Sequence, residues 1–138
     1  MKGEKESYMI KKFFISLIIL ICIALIGYLI TFRFNIDSDK VIKIQISITG
    51  EAGLEDKVIT DKDDIKKVAD YFNSLILIKS FSRPKDAVDG IAFIDKDDNV
   101  VKVISWGQSG ILWSDKETYL FGRRRINNLT KLLKECGN

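Results

Sequence analysis

The chain has 138 residues, of which 46% are hydrophobic and 30% are charged, and its formal net charge is +3 with a pI near 8.8. It contains two cysteines and no histidine. The absence of histidine excludes Ser-His-Asp and Cys-His catalytic arrangements and the usual zinc sites.

The N-terminal part of the chain carries an uninterrupted apolar run, Phe13–Phe32, with the sequence FFISLIILICIALIGYLITF. The run has no charged residue, no asparagine or glutamine, and no proline. At about 1.5 Å per residue, a helix of this length reaches about 30 Å, the thickness of the hydrocarbon core of a bilayer. We therefore predict a transmembrane helix over residues 13–32, with the lipid bilayer as its partner.

Two other interpretations of the run involve processing of the chain. A cleaved signal peptide has an apolar region of about 7–15 residues that ends in small side chains, whereas this run is longer and ends in bulky ones. A lipoprotein signal would use Cys22 as the lipid acceptor, but Cys22 follows the bulky Ile21 and lies in the middle of the run. The sequence favours an uncleaved signal anchor.

The charges that flank the run predict its orientation. Four lysines precede it, two of them directly against it, and a single arginine, Arg33, follows it. Lysine and arginine stay on the cytoplasmic side, and acidic residues count for little. We predict a single-pass protein of the cell membrane, with a cytoplasmic N-terminus at 1–12, a linker at 33–40 and an extracytoplasmic domain at 41–138.

The basic pI does not indicate a nucleic-acid partner. From Arg33 onward the chain has 18 lysines and arginines against 17 aspartates and glutamates. The net positive charge therefore comes mainly from the lysines before the apolar run, and no large basic excess remains for nucleic-acid binding.

The first predicted elements of the domain are two strands and a helix. Val41–Thr49 alternates isoleucine with polar residues, which is typical of a half-buried strand with Ile42, Ile44, Ile46 and Ile48 inward. Lys57–Thr60 is a short second strand. Thr60 is the predicted cap of a helix that carries aspartates in its first turn and ends near 73–75. Its apolar stripe consists of Ile65, Val68, Ala69, Phe72 and Ile76.

The remaining predicted elements are an undecided segment, a loop, two hairpins and one helix. Periodicity leaves Leu75–Ile78 open between helix and strand, and Lys79–Gly90 is a loop that contains the only proline, Pro84. Two predicted hairpins follow, with strands at 91–94, 100–104, 110–113 and 119–121, and the last helix runs from about Arg123 to Glu135. The order β-β-α-β-β-β-β-α predicts an α+β fold in which an antiparallel sheet packs on two amphipathic helices.

The acidic clusters have simpler explanations than catalysis or metal binding. Asp95–Asn99 begins like a calcium loop, but an EF-hand needs glycine at position six and glutamate at position twelve, where this chain has Val100 and Trp106. Helix capping explains the aspartates at 61, 63 and 64, and Asp86 and Asp89 have no evident catalytic partner. We predict no catalytic, cofactor-binding or metal-binding residue.

Two groups of residues are candidates for contact with a partner. Arg123, Arg124 and Arg125 stand in the first turn of the last helix, where cations are disfavoured. They indicate an anionic partner, pairing with the many aspartates, or a helix that starts later in the sequence. Trp106 and Trp113 lie close to Tyr119 and Phe121 in the predicted hairpins. These aromatic residues form either a binding platform or a part of the core.

The segments Ile59–Val68 and Tyr71–Leu75, with the sequences ITDKDDIKKV and YFNSL, follow an alternating strand and precede two hairpins. This pattern resembles small membrane-anchored or lipoprotein domains of low-GC Gram-positive bacteria, mostly of unknown function. The resemblance covers roughly 41–133. It implies an extracytoplasmic α+β module and assigns no functional residues.

These observations favour a membrane-anchored protein with a non-catalytic binding or accessory domain, whose partner is a protein or an envelope polymer. A membrane-tethered immunity or inhibitor protein is an alternative that fits the small size and the anchor, although no residue argues for it specifically. A carboxylate-dependent cell-envelope enzyme is the third alternative. Cys136 is available for a disulfide between chains or is a reduced residue at the end of a helix.

Overall fold

A computed structural model of the chain describes residues 2–82 and 89–137. Most of the predicted loop, including Pro84 and Asp86, lies outside the described residues. The chain divides into two compact units, Met1–Phe32 and Arg33–Asn138. Each unit is described separately below.

The first unit is a single long helix, α1 (Lys2–Ile30), followed by a two-residue strand, β1 (Thr31–Phe32). No residue of α1 is buried, and its most apolar window has a mean hydropathy of 3.0. The helix is long and apolar enough to cross a membrane, although a signal sequence has the same properties. The helix extends back to Lys2 because 2–12 consists largely of good helix formers such as lysine, glutamate and methionine.

The second unit contains an antiparallel sheet and two helices. Its described strands are β2 (Val41–Ser47), β3 (Lys57–Ile59), β4 (Leu77–Lys79), β5 (Asp89–Asp95), β6 (Val100–Trp106), β7 (Ile111–Ser114) and β8 (Glu117–Leu120). Neighbouring strands in this unit follow the order β4-β8-β7-β6-β5-β2-β3, and each of these neighbouring pairs is antiparallel. The helices are α2 (Lys62–Ser74) and α3 (Arg123–Glu135), and a short 3₁₀ helix covers Ser38–Lys40. The predicted α+β class is confirmed.

The core lies between one face of the sheet and the two helices. Ile44 and Ile46 of β2 are buried, whereas Gln45 between them is exposed. The helices contribute the buried side chains Ile65, Val68, Ala69 and Phe72 from α2 and Leu129 and Leu133 from α3. The two helices are joined by a hydrogen bond of 3.0 Å, which Tyr71 Oη donates to the backbone oxygen of Arg125. The other face of the sheet, on which Gln45 lies, points away from the helices.

Three local predictions were wrong for identifiable reasons. Ile42 is exposed rather than inward, because the register shifts between Val41 and Lys43 and Val41 takes the buried position. The cap of α2 is Asp61 rather than Thr60, since Asp61 Oδ1 accepts the backbone N–H of Asp64 at 3.0 Å. Ile76 is exposed rather than part of the helical stripe, because α2 ends at Ser74.

The predicted linker at 33–40 contributes to the second unit. Phe34 and Ile36 are buried in its core, and the ring of Phe34 packs edge-to-face against Phe72 with centroids 5.7 Å apart. The side chain of Asn73 both accepts the N–H of Ile36, at 2.8 Å, and donates to its backbone oxygen, at 2.9 Å. The chain between the end of α1 and the first buried residue of the second unit is therefore only Thr31–Arg33.

Candidate interaction surface

The aromatic residues near the second hairpin are divided between core and surface. Trp106 is only 1% exposed, and Tyr119 and Phe121 are also buried, whereas Trp113 is 40% exposed. The division follows strand alternation: Trp106 pairs with the buried Leu112, so the next residue of β7, Trp113, points to the other face. Of the candidate contact residues Trp106 and Trp113, the structure leaves only Trp113 on the surface. Of the two alternatives for the aromatic residues, the core therefore applies to Trp106, Tyr119 and Phe121, and an aromatic platform is not formed.

The three consecutive arginines occupy the first turn of α3, as the sequence indicates. The cap residue Gly122 has φ of 88° and offers no side chain to the free N–H groups of the helix. The ion pairs of the described residues include none of the three guanidinium groups. Arg123 and Arg124 are exposed and Arg125 is half-buried. Pairing with aspartates therefore does not account for these cations in the described part of the chain.

A cleft that Arg125 lines opens where the loop before β7 meets the start of α3, one residue along the helix from Arg124. The backbone oxygen of Gly110 accepts the N–H groups of both Phe121 and Gly122 at 2.9 Å. A Cβ on Gly110 would lie only 3.2 Å from the Cα of Gly122, and Gly110 has a positive φ of 79°. Glycine is thus required at 110 for this close approach.

The cleft has a volume of about 380 Å³, and its wall is mostly apolar. Four of its side chains are aliphatic residues from β4, β7, β8 and the segment before β4, namely Ile76, Ile78, Ile111 and Leu120. Arg125 also lines it, and no acidic residue is among the described lining residues. We call the three arginines and these four aliphatic residues the basic–apolar patch. It combines a set of uncompensated cations with exposed hydrocarbon.

The carboxylates of α2 have structural partners. Asp64 Oδ2 accepts the backbone N–H of Gly137 at 2.7 Å, which joins the start of α2 to the end of α3. This hydrogen bond is the main cause that holds the pKa of Asp64 below its usual value of 3.8, and Lys67 lowers the pKa further. The contact lies between residues far apart in the sequence, so no local pattern reveals it.

Asp64 is expected to make the stability of the second unit depend on acid pH. Its carboxylate has a lower pKa in the folded chain than the usual 3.8, so its stabilising effect is present above that pH and is lost as the pH falls through the lowered pKa. The Asp64→Asn variant should therefore lose less stability than the wild-type chain when the pH is lowered from about 5 to about 2, as measured by urea unfolding. Asp63→Asn is the control, because it removes a charge from the same helical turn without touching Gly137. Equal pH profiles for the two variants would contradict this role.

The acidic hairpin between β5 and β6 is also accounted for by its own backbone. Asp95 Oδ1 accepts the N–H groups of Asp97 and Asn99, both at 2.9 Å, and these bonds lower the pKa of Asp95. Asp98 forms an ion pair of 2.8 Å with Lys43. These are the contacts of a solvated hairpin turn.

A carboxylate-dependent enzyme would need acidic side chains that converge on one site, and the described aspartates Asp89 and Asp95 do not. Asp89 and Asp95 stand at opposite ends of β5, which at about 3.3 Å per residue places them about 20 Å apart. Asp89 accepts the N–H of Thr49 at 2.9 Å, and Asp86 lies outside the described residues. Within 2–82 and 89–137, no group of three or more histidine, cysteine or acidic side chains is placed to hold a metal ion.

Cys136 is buried at the end of α3, and burial raises the pKa of its thiol. A raised pKa keeps the thiol protonated and unreactive. This environment favours the reduced residue over a disulfide between chains.

The chain matches no family model, and neither the curated proteins nor the solved structures contain a significant match to it. The resemblance to anchored domains of Gram-positive bacteria stays a prediction.

The sequence indicates the arginines but not the aliphatic half of the basic–apolar patch. The helical stripe predicts Ile76 in the core, and periodicity does not decide between helix and strand for Ile78. The signal available for Leu120 is the alternation of side chains along a strand. If Tyr119 and Phe121 point inward, Leu120 between them points outward, as it does in the structure.

Proposed function

We propose that this protein is a single-pass membrane protein whose second unit is a non-catalytic binding or accessory domain outside the cytoplasm. The observation that carries the proposal is α1, a helix of 29 residues with no buried residue and a mean hydropathy of 3.0 in its most apolar window. An apolar surface of this size is unfavourable in water and is stable within lipid.

The orientation of the span is supported by the lysines at the start of α1. Lys11 and Lys12 directly precede the apolar run, and Lys12 Nζ lies 4.7 Å from the centre of the Tyr8 ring. Tyrosine is enriched at both interfaces between membrane and water, whereas an excess of lysine marks the cytoplasmic side. This placement supports an N-terminus in the cytoplasm and the second unit on the other side.

The non-catalytic character of the domain is supported by what its polar groups do. Among the described residues, Asp64 and Asp95 have lowered pKa values, and both accept hydrogen bonds from backbone N–H groups. The chain has no histidine to act as a general base. The basic–apolar patch is suited to contact with a partner rather than to bond making or breaking.

The proposed topology predicts opposite labelling of two introduced cysteines. Lys96→Cys places a thiol at the exposed tip of the first hairpin, and Glu4→Cys places one at the start of α1. With a membrane-impermeant maleimide on intact cells, we expect the chain with Lys96→Cys to be labelled and the chain with Glu4→Cys to be labelled only after permeabilisation.

The wild-type chain is the control for this experiment, because Cys22 lies in the apolar run and Cys136 is buried in the domain. The reverse labelling pattern would overturn the orientation. Labelling of both variants only after permeabilisation would show that the second unit stays in the cytoplasm.

A further inference from the structure

We propose that the basic–apolar patch binds the surface of an anionic lipid bilayer, so that the second unit has its own contact with the membrane. The proposal rests on the membrane anchoring proposed above and adds a partner for the three arginines. The patch consists of Arg123, Arg124 and Arg125 and the aliphatic residues Ile76, Ile78, Ile111 and Leu120.

The charge of the patch points to an anionic partner. Within the described residues, none of the three arginines forms an ion pair. They are concentrated in one helical turn, where the helix dipole itself disfavours cations. The excess is local, because the whole segment from Arg33 onward nearly balances its 18 lysines and arginines with 17 acidic residues. An anionic surface would remove both the mutual repulsion and the unfavourable interaction with the dipole.

The aliphatic side of the patch distinguishes a bilayer from a purely ionic partner. Ile76, Ile78 and Leu120 are each about half exposed, at 53%, 48% and 50%. They line the same cleft as Arg125. Cations that flank exposed aliphatic side chains are the composition of segments that lie at the boundary between lipid headgroups and acyl chains.

The connection between the two units favours a bilayer over an acidic protein as the occupant. Only Thr31–Arg33 separates Ile30, the last residue of α1, from the buried Phe34. Such a segment covers at most about 14 Å when fully extended. With α1 in the membrane, lipid headgroups are always within reach of the domain, and their effective concentration is correspondingly high.

The start of α3 provides a direct reporter of this contact. The first intrahelical hydrogen bond is donated by Ile126 to the oxygen of Gly122, so the N–H groups of Arg123, Arg124 and Arg125 have no acceptor within the helix. Their exchange with deuterated water is therefore expected to be fast unless a partner covers them. Exchange at 123–125 measures coverage of the patch itself.

The test uses the full chain reconstituted in nanodiscs of phosphatidylcholine alone or of equal parts of phosphatidylcholine and phosphatidylglycerol. We expect amide exchange at 123–125 to be slower in the anionic nanodiscs and to recover when salt is raised. Each cation at an anionic surface changes the binding constant about fivefold. Arg123→Gln with Arg124→Gln should therefore weaken the contact about 25-fold and abolish the difference between the two lipids.

The matched control is Lys62→Gln with Lys96→Gln. It removes the same net charge from two exposed positions outside the patch that form no ion pair in the described residues. This variant should keep the slow exchange in anionic nanodiscs. If it loses the slow exchange as fully as the arginine variant does, net charge alone is responsible and the proposed site is wrong.

The aliphatic contribution is tested with a second pair of variants. Ile78→Thr and Val58→Thr each replace an aliphatic residue that is 48% exposed and lies in a strand of three residues. Ile78 belongs to the patch, whereas Val58 lies at the other edge of the sheet in β3. Only Ile78→Thr should restore fast exchange at 123–125 in anionic nanodiscs, and equal effects of the two variants would contradict a contact with hydrocarbon.

The two proposals fail in different ways. If α1 does not span the bilayer, the chain will not be incorporated into either kind of nanodisc. If the chain is incorporated but exchange at 123–125 is the same with both lipids, the anchor stands and the lipid contact is wrong. Slow exchange that requires an added acidic protein would likewise overturn the lipid contact.

Discussion

Replacing Phe72 by alanine is expected to lower the free energy of unfolding of the second unit by about 3–5 kcal/mol. Phe72 is 0% exposed, and its ring makes edge-to-face contacts with Phe34, Tyr71 and Phe93 at centroid distances of 5.4–6.1 Å. The substitution removes a large buried surface and leaves a cavity among these rings. For a domain with a stability of about 5–15 kcal/mol, a loss of this size is severe.

The measurement is urea unfolding of the full chain in detergent, followed by tryptophan fluorescence, to which the buried Trp106 and the partly exposed Trp113 both contribute. Phe81→Ala is the control, because Phe81 is 100% exposed and the same truncation there leaves no cavity. We expect Phe81→Ala to change the unfolding free energy by less than about 0.5 kcal/mol. Similar effects of both substitutions would contradict the central position of Phe72 in the core.

Placing two arginines at the centre of the apolar run is expected to prevent membrane integration. Arginine at the middle of a spanning helix costs about 2.5–3.5 kcal/mol, so Ile21→Arg with Ile23→Arg should cost about 5–7 kcal/mol and also removes two favourable isoleucines. These positions lie near the middle of 13–32. Their side chains point to different sides of α1, so the two arginines cannot share one polar contact.

Alkaline carbonate extraction of membranes measures this effect. The wild-type chain should remain in the membrane pellet, and the double arginine variant should move to the soluble or aggregated fraction. Glu4→Arg with Glu6→Arg is the control, since it adds two arginines to the same helix before the apolar run and should leave the chain in the pellet. Retention of the Ile21 and Ile23 variant in the pellet would contradict a transmembrane α1.

Local patterns were sufficient where one segment determines its own structure. The predicted helix at 13–32 lies within α1 except for its last two residues, Thr31 and Phe32, which form β1. The spacing of Ile65, Val68, Ala69 and Phe72 matches the buried face of α2. The last helix begins and ends at the predicted residues, Arg123 and Glu135. In these segments, hydrophobic periodicity and chain length carry the information.

The period-two pattern of strands did not predict which residues are buried where the limits of a strand were not known. The strand predicted at 100–104 extends to Trp106, and Ile104 and Trp106 share its inward face. With the correct limit, the period of two would have placed Trp106 in the core from the sequence alone. The bulge at Ile42 is different, because a shift of register depends on the pairing with β5 and has no local signature.

The sequence by itself determined the apolar helix, the α+β class and the concentration of arginines at the start of α3, because each depends on residues that are neighbours in the chain. Only the tertiary structure decided what surrounds those arginines. The cleft forms because Gly110 and Gly122 bring two distant backbone segments together, and the exposed Ile78 and Leu120 meet through the pairing of β4 with β8. Contacts between residues far apart in sequence depend on strand order and register, and these are settled only when the whole core packs.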